Sequence, residues 1–143
     1  MDAAEDSPVP WVNEHIEAYV ATGGATGHRF HGATALLLTV TGRTSGVSRR
    51  TALYYIADGN RFVVVGSQGG APTHPQWYLN VLADPQVTVQ VGTDVFEATA
   101  STAAGEERRR LWELSIQNWP AYDDYAAKTD REIPVVVLTP SRR

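Results

Sequence analysis

Residues 33–57, ATALLLTVTGRTSGVSRRTALYYIA, decide the fold. Their two apolar runs, at 33–40 and 51–57, are typical of strands, which we predict at about 34–41 and 51–57. The connection between these strands, TGRTSGVSRR (41–50), is far longer than the two-residue turn that would suffice to join them. It is rich in glycine and hydroxyl groups and carries Arg43, Arg49 and Arg50. We therefore expect an anionic group to bind at this connection.

The segment before these strands predicts a short amphipathic helix. PWVNEHIEAYVATGG (10–24) places Val12, Ile16, Tyr19 and Val20 at helical spacing, and the pair Gly23 and Gly24 is typical of a helix end.

The segments after these strands alternate hairpins with short helices. DGN (58–60) predicts a tight turn into the strand RFVVVGS (61–67), and Gly92 predicts the turn of a second hairpin, VTVQVGTDVFEATA (87–100). HPQWYLNVLADP (74–85) predicts a helix with a proline in its first turn and another beyond its end. A further helix begins near Glu106 and continues to about Gln117. IPVVVLT (133–139) closes the chain as a strand.

These elements predict an α+β fold in a single domain, residues 1–143. Six short strands without regular strand–helix alternation favour a closed or partly closed antiparallel β-barrel, with an N-terminal helix and short flanking helices, over a doubly wound sheet. The length of 143 residues and the hydrophobic content of 43% suffice for one packed core.

Charge and composition narrow the class of ligand. The net charge of −4 argues against general nucleic-acid binding. However, no Asp or Glu occurs from Ala18 to Ala57, a window that contains four arginines, so an acidic protein carries a local positive field suited to a small anion. A solvated cationic loop is the alternative interpretation.

Composition also bears on metals and on location. The chain has no cysteine, and no metal-binding spacing occurs among its histidines, which are His15, His28, His31 and His74. We therefore predict no metal site. No apolar run approaches the length of a membrane span and the first residues are acidic, which predicts a cytoplasmic protein.

Sequence motifs of common enzymes are absent. GRTSG lacks the Lys-Ser/Thr ending of a P-loop and the G-x-G-x-x-G pattern of a dinucleotide fold, and no G-x-S-x-G elbow is present.

Two other segments could bind a polar ring. GSQGGAPTHPQWY (66–78) offers backbone N–H groups near Gly69 and Gly70 and the hydroxyl of Ser67. NWPAYDDYAAKTDREIP (118–134) places Trp119, Tyr122 and Tyr125 three residues apart, on one face if this piece is helical. A long barrel loop and core aromatic packing are the alternative interpretations.

Three of these segments in order resemble a known family. LLLTVTGRTSGVSRR (36–50), residues 52–92 and WPAYDDYAAKTDREIPVVVLTP (119–140) are similar to the deazaflavin-dependent nitroreductase family of the split β-barrel flavin-binding superfamily, over about residues 11–140. The resemblance implies a split barrel and the cofactor coenzyme F-420, an 8-hydroxy-5-deazaflavin with a phosphate and oligoglutamate tail. It also implies hydride transfer to a small-molecule quinone, enone or nitroaromatic acceptor. Arginine suits such a tail because its planar fork binds phosphate and carboxylate at two points.

The resemblance assigns residues to cofactor and acceptor. Positions that match the cofactor side are Arg43, Thr44, Ser45, Gly46, Arg49, Arg50, Tyr54, Tyr55, Ser67, Gln68, Gly69, Gly70, Ala71, Pro72, Trp77 and Tyr78. Positions that match the acceptor side, and to which we assign catalytic roles, are Ser67, Trp119, Tyr122 and Tyr125.

Two departures from the family pattern bear on specificity. Thr44 and Gln68 stand where relatives commonly carry lysine, which bears on the affinity for the tail. Trp119 stands where a nitroreductase of the family has tyrosine, which puts nitro reduction in doubt.

Other functions stay open at this stage. One is an oxidoreductase on the same barrel that uses FMN or degrades haem, although FMN ends in one phosphate and fits the long acid-free window less well. Another is a protein that binds or stores coenzyme F-420 without turnover. A homodimer and peripheral membrane contact through the first helix also stay open.

Overall fold

The fold alternates short strands with four helices. The computed structural model describes residues 10–22, 29–30 and 33–141. In chain order the elements are α1 (Pro10–Thr22), β1 (Arg29–Phe30), β2 (Ala33–Thr41), β3 (Ser48–Tyr54), β4 (Ile56–Asp58), β5 (Arg61–Val65), a 3-10 turn (Gln68–Gly70), α2 (Gln76–Ala83), β6 (Gln86–Val91), β7 (Asp94–Thr102), α3 (Gly105–Asn118), α4 (Ala121–Ala127) and β8 (Val135–Pro140). The paired strands are all antiparallel, so the predicted α+β class is confirmed.

The sheet closes on itself through one bent strand. β2 pairs with β3 and β6, and the ladder continues through β7, β8 and β5 to β4. Only Tyr55 separates β3 from β4, and its N–H donates to the carbonyl of Thr34 at 3.1 Å. β3 and β4 therefore act as one strand, which pairs with β2 in its first part and with β5 in its second.

This closure explains the difference between the predicted and observed strand counts. Six strands were predicted, and eight segments occur within the described ranges. The second predicted strand is divided at Tyr55 into β3 and β4, and the two-residue β1 was not predicted. The predicted hairpin turns are confirmed, with Gly59 (φ 64°) and Gly92 (φ 62°) in the left-handed conformation that glycine adopts without strain.

The barrel interior is apolar and is closed by a helix. Alternate residues of each strand point inward, as strand pleating requires. The buried interior comprises Leu36, Leu38, Val40, Val64, Val87, Val89, Phe96, Ala98, Ala100, Val136 and Leu138. Tyr78 and Val81 of α2 join this cluster, so α2 packs into the barrel and is fixed by it.

Helices cover parts of the outer face of the sheet, while the outward-facing residues of β7 stay exposed. Ile16 and Tyr19 of α1 pack on Leu37, and the hydroxyl of Tyr19 accepts the N–H of Gly92 at 2.7 Å. α3 and α4 cover the other side: Leu111 packs among residues of β5 and β8. The helices thus bury outward-facing residues that a barrel alone would expose.

Three details of the predicted elements require correction or comment. β3 begins at Ser48, so Arg49 and Arg50 lie in a strand and not in the connecting loop, because they pair with Val40 and Thr39. Val20 was placed on the packed face of the first helix, but it is 44% exposed. The predicted helix end at residues 23–24 lies outside the described residues, as do two of the histidines, His28 and His31.

No helix in the described ranges has both the length and the apolar character needed to cross a bilayer. The assignment of residues 1–143 to one domain stays a prediction.

An ion cluster joins the β4–β5 hairpin to α3. Asp58 accepts from Arg61 at 2.6 Å and from both terminal nitrogens of Arg110 at 3.0 and 3.1 Å. Hydrogen bonds from these two guanidinium groups lower the pKa of Asp58 from its ordinary 3.8 to about 2. The carboxylate thus contributes stability that is complete above about pH 4 and is lost as the pH falls toward 2.

We expect Asp58→Asn to lower the free energy of unfolding by about 1 kcal/mol at pH 7, because the pair with Arg110 is partly exposed to solvent and screened. The difference between wild type and variant should shrink as the pH falls from 4 to 2, measured by urea denaturation at each pH. Glu113→Gln is the control, since Glu113 is exposed and forms no ion pair with the described residues. A constant difference across this pH range would contradict the assignment.

Candidate functional site

The turn between β2 and β3 is compact and exposed. The N–H of Gly42 donates to the carbonyl of Val47, and that of Gly46 donates back to Gly42, both at 2.8 Å. The hydroxyl of Ser45 accepts the N–H of Val47 at 3.1 Å, and Gly46 has φ 73°. The turn is therefore ordered by its own hydrogen bonds, and Thr44 lies at its exposed tip.

Arg43 is fixed by neutral groups. Its guanidinium donates to the side-chain oxygens of Asn80 and Gln76, each at 2.8 Å, and its backbone N–H also donates to Asn80 at 3.1 Å. Both partners belong to α2. No carboxylate pairs with Arg43 in the part of the chain that the structure describes. Its position is thus determined while its charge stays available to an anion.

The two other arginines of this region stand on β3. Arg49 pairs in register with Val40 and Arg50 with Thr39, so their side chains leave the strand on opposite faces. Only one of them can therefore extend on the same side as a ligand held at the turn.

The loop after β5 is a strained backbone segment. Gln68 has φ 45°, rare for a residue with a side chain, and Gly70 has φ 82°. A Cβ at Gly70 would lie 2.7 Å from the carbonyl oxygen of Tyr125, so only glycine permits this approach of the loop to α4. Ser67 is buried, and Ala71 and Pro72 lead outward from the loop. Gly69 completes the 3-10 turn.

Arg131, a residue that sequence reasoning missed, holds this loop. Its guanidinium donates to the carbonyls of Ala71 (2.9 Å), Gly66 (3.1 Å) and Ser67 (2.7 Å) and contacts Nδ1 of His74 at 3.0 Å. Burial lowers the pKa of His74, and the nearby charge of Arg131 lowers it further. The imidazole is therefore neutral at pH 7, and its Nδ1 accepts the hydrogen bond from the guanidinium of Arg131.

The predicted residues of α2 divide between surface and core. Trp77 is partly buried, and its ring meets that of Tyr78 edge to face with centroids 6.0 Å apart. Tyr78 lies in the barrel core, and its hydroxyl is paired with Thr102 at 2.9 Å. We therefore leave Tyr78 out of the candidate site.

The predicted aromatic wall forms, although not on one helix. Trp119 precedes α4, which starts after Pro120, so the expectation of three aromatic residues on one helical face is wrong for Trp119. Its ring instead contacts that of Tyr54, with centroids 4.8 Å apart and the ring planes tilted by 40°. Tyr122 and Tyr125 are on α4 and meet edge to face at 6.3 Å.

Tyr122 is the buried member of this wall. It lines a narrow cleft with Tyr54, Tyr55, Ile56, Val63, Val65, Ser115 and Asn118. Burial raises the pKa of Tyr122 above its ordinary range, so the phenol stays protonated and can only donate or accept as a neutral group. None of the hydrogen bonds among the described residues uses its hydroxyl.

The turn between β2 and β3 (residues 42–47, the cationic turn) and the loop after β5 (residues 66–75) both contact residues near the start of α2. Gln76 contacts Arg43, and His74, two residues earlier, contacts the arginine that holds the loop. Gly70 in turn touches the backbone of Tyr125. A chain of contacts therefore connects the turn, the residues around the start of α2, the loop and the aromatic wall, and we take the surface that these four segments form as the candidate site. The members of this surface lie far apart in sequence.

The described residues contain no cluster of three or more acidic or histidine side chains that could hold a metal ion. The side chain of His15 is outside this description.

Comparison with known proteins identifies the family of this chain. The family model of the F420H2-dependent quinone reductases matches residues 11–140. A curated F420H2-dependent quinone reductase of Mycobacterium tuberculosis strain H37Rv is 40% identical over 129 residues, 87% of this chain and 87% of that protein. The structure of an F420-H2 dependent reductase, FDR-A, superposes with a TM-score of 0.68 and 42% identity, covering 73% of this chain and 92% of the other.

The chain belongs to the F420H2-dependent quinone reductase family. This membership confirms the resemblance stated from sequence and, at the level of the family, the predicted coenzyme and the class of enzyme, a reductase that uses reduced coenzyme F-420.

Two further structures bear on fold and assembly. The haem storage protein HutZ of Vibrio cholerae superposes with a TM-score of 0.60 at 14% identity over 76% of this chain and 82% of that one, which shows a shared fold alone. A solved structure at 38% identity and TM-score 0.72, covering 92% of this chain and 99% of that one, is described as a domain-swapped dimer.

We expect Gly70→Ala to destabilise the protein by about 3 kcal/mol or more, because the new methyl group overlaps Tyr125 and φ is positive. Gly59→Ala is the matched control: its φ is also positive but its Cβ meets open space, so the cost should be about 1 kcal/mol. Thermal and urea unfolding measure both. Equal losses would mean that the loop moves away from α4 without cost.

Proposed function

We propose that this protein binds reduced coenzyme F-420 (F420H2) along the surface just described and transfers a hydride from it to a quinone. The observation that carries the proposal is Arg43: neutral amide oxygens of Asn80 and Gln76 fix its guanidinium, and no carboxylate of the described residues neutralises it. Such a group suits the phosphate and carboxylates of the coenzyme tail. The turn residues Ser45 and Gly46, with Arg49 or Arg50 from β3, would complete this end.

The other end of the surface fits the deazaflavin ring. The backbone N–H groups of Ser67 and Gln68 have no acceptor among the described residues and can donate to ring carbonyl oxygens. Tyr54 and Trp119, whose ring centroids are 4.8 Å apart, supply flat aromatic surface for the ring system. When bound, the reduced coenzyme would supply a hydride from C5 to an electrophilic acceptor.

The acceptor side consists of the aromatic wall. Tyr122 and Tyr125 present phenols to the acceptor, and the raised pKa of Tyr122 keeps its proton available for donation to an acceptor oxygen. Ser67, whose hydroxyl has no partner in the described part of the chain, is a second donor. We infer that the acceptor is a quinone, because the resemblance places Trp119 where a nitroreductase of the family has tyrosine, which puts nitro reduction in doubt. The family is named for quinone reduction.

Assembly and location follow from sequence expectations and one similar structure. The domain-swapped dimer of a similar protein agrees with a homodimer of this chain, and the dimer stays a prediction here. Membrane contact through α1 and a cytoplasmic location stay predictions as well. The FMN alternative differs from the proposal at the tail, since FMN carries one phosphate and the oligoglutamate tail carries several charges.

Binding of coenzyme F-420 and of FMN to wild type and to Arg43→Ala tests the coenzyme assignment. We expect wild type to prefer F-420, and Arg43→Ala to weaken F-420 binding about tenfold at low ionic strength and less at high salt, because the contribution is Coulombic. FMN binding should change less. Absorbance or fluorescence titration measures each dissociation constant.

Arg109→Ala is the control for this titration, since Arg109 is exposed on α3 and pairs with Glu106 at 3.1 Å. It should bind F-420 as wild type does. Equal affinities of wild type for FMN and F-420, or no effect of Arg43→Ala at any salt concentration, would favour the FMN alternative.

Removing the tyrosine hydroxyls of α4 tests the roles proposed for them at the acceptor. The same kinetic assay distinguishes a catalytic protein from one that only stores coenzyme F-420. Tyr122→Phe and Tyr125→Phe keep the ring and should leave F-420 affinity nearly unchanged, while kcat and kcat/KM with a menaquinone analogue fall together by roughly ten- to a thousand-fold. Reoxidation of reduced F-420, followed by absorbance, gives both constants.

Tyr19→Phe is the matched control, because Tyr19 is a buried tyrosine whose hydroxyl bonds to Gly92 on the far side of β2. It should lose stability but keep its kcat. Undiminished turnover in both α4 variants would show that these tyrosines serve only packing, and absence of turnover in wild type would favour a storage protein.

A further inference from the structure

Arg131 makes an unusual set of contacts for a residue outside the regular elements. It lies between α4 and β8, and one guanidinium binds three backbone carbonyls of the loop after β5 and the ring of His74. No carboxylate pairs with it among the residues that the structure describes. A guanidinium whose donors all go to one loop fixes that loop's backbone.

These contacts determine which way the loop amides point. The chain has no cis peptide among the described residues, and in a trans peptide the C=O and the following N–H point in opposite directions. The carbonyls of Gly66 and Ser67 point at Arg131. The N–H groups of Ser67 and Gln68 must therefore point away from the guanidinium, and neither has an acceptor among the described residues.

The same contacts hold the loop in a conformation that it would not adopt alone. Gln68 has φ 45°, which costs a residue with a side chain about 1–3 kcal/mol. The hydrogen bonds from Arg131 on both sides of this residue, to Ser67 and Ala71, offset that cost. His74, which shares the guanidinium, links the loop to the start of α2 and so to the cationic turn.

We propose that Arg131 is a positioning residue that orients the amides of Ser67 and Gln68 toward the bound coenzyme without touching the coenzyme itself. This inference rests on the proposed function. Its physical content is preorganisation: the amides are aligned before binding, so the ligand does not have to order the loop. The positive charge behind the two N–H groups also strengthens them as donors to an anionic or carbonyl oxygen.

Arg131→Lys and Arg108→Lys distinguish positioning from general stabilisation. Lysine keeps the charge at 131 but cannot reach four acceptors at once, so F-420 should bind about ten- to a hundredfold more weakly. Arg108 is the matched control because its guanidinium also donates to a backbone carbonyl, that of Ile133 at 2.7 Å, which lies in the same connection between α4 and β8 as Arg131. Arg108 makes no hydrogen bond to the loop after β5. Arg108→Lys should lower the melting temperature and keep the affinity for F-420.

Chemical rescue of F-420 binding distinguishes a positioning role from a purely structural one. In Arg131→Ala, millimolar methylguanidinium should restore F-420 binding, whereas equal methylammonium should not. In wild type, bound F-420 should slow the hydrogen exchange of the Ser67 and Gln68 amides, measured by NMR; this needs no variant and holds even if the variants fail to fold.

The outcomes separate this inference from the proposed function. Wild-type affinity in Arg131→Lys, or exchange at Ser67 and Gln68 that F-420 does not slow, would overturn the positioning role while leaving coenzyme binding intact. Failure of wild type to bind F-420 would overturn both.

Discussion

The bend in the strand formed by β3 and β4 is the constraint on which the rest of the structure depends. Because this one strand pairs with β2 before Tyr55 and with β5 after it, the sheet closes without an additional element. Successive residues of this strand point to opposite faces of the sheet, which places two consecutive tyrosines on different sides. Tyr55 points inward and packs edge to face on Phe62, while Tyr54 points outward and its ring contacts that of Trp119. Barrel closure and the first ring of the aromatic wall therefore come from the same strand.

α2 connects the barrel core to the candidate site. Its apolar side, with Tyr78 and Val81, is buried in the barrel, so the helix has little freedom to rotate. Its polar side presents Gln76 and Asn80 to Arg43, and the residues just before it contact Arg131. The two ends of the candidate site are thus held at a fixed separation by a helix that is itself a core element.

Local patterns were sufficient for most elements but not for the site's long-range contacts. Apolar alternation and turn glycines predicted the hairpins and α2, because these signals lie within a few residues. Trp119 was predicted on a helix face although Pro120 starts a new helix after it. Arg131 could not have been found in this way: its acceptors are 57 to 65 positions away, and one arginine in TDREIP gives no local sign of them. Asn80 and Gln76 were likewise indistinguishable from ordinary polar residues of a surface helix.

The hydrogen-bond partners of the arginines distinguish those that stabilise the fold from those that belong to the candidate site. Arg61 and Arg110 meet the carboxylate of Asp58, which holds the hairpin on α3, and Arg61 also meets Glu107, so carboxylates offset the charge of this pair. Arg43 and Arg131 are instead held by amide, carbonyl and imidazole acceptors. Neutral acceptors fix a guanidinium through directional hydrogen bonds while leaving its field in place. Arg43 contacts Gln76 and Arg131 contacts His74, both near the start of α2. A ligand bound there would experience both charges, one directly at Arg43 and one through the loop amides that Arg131 orients.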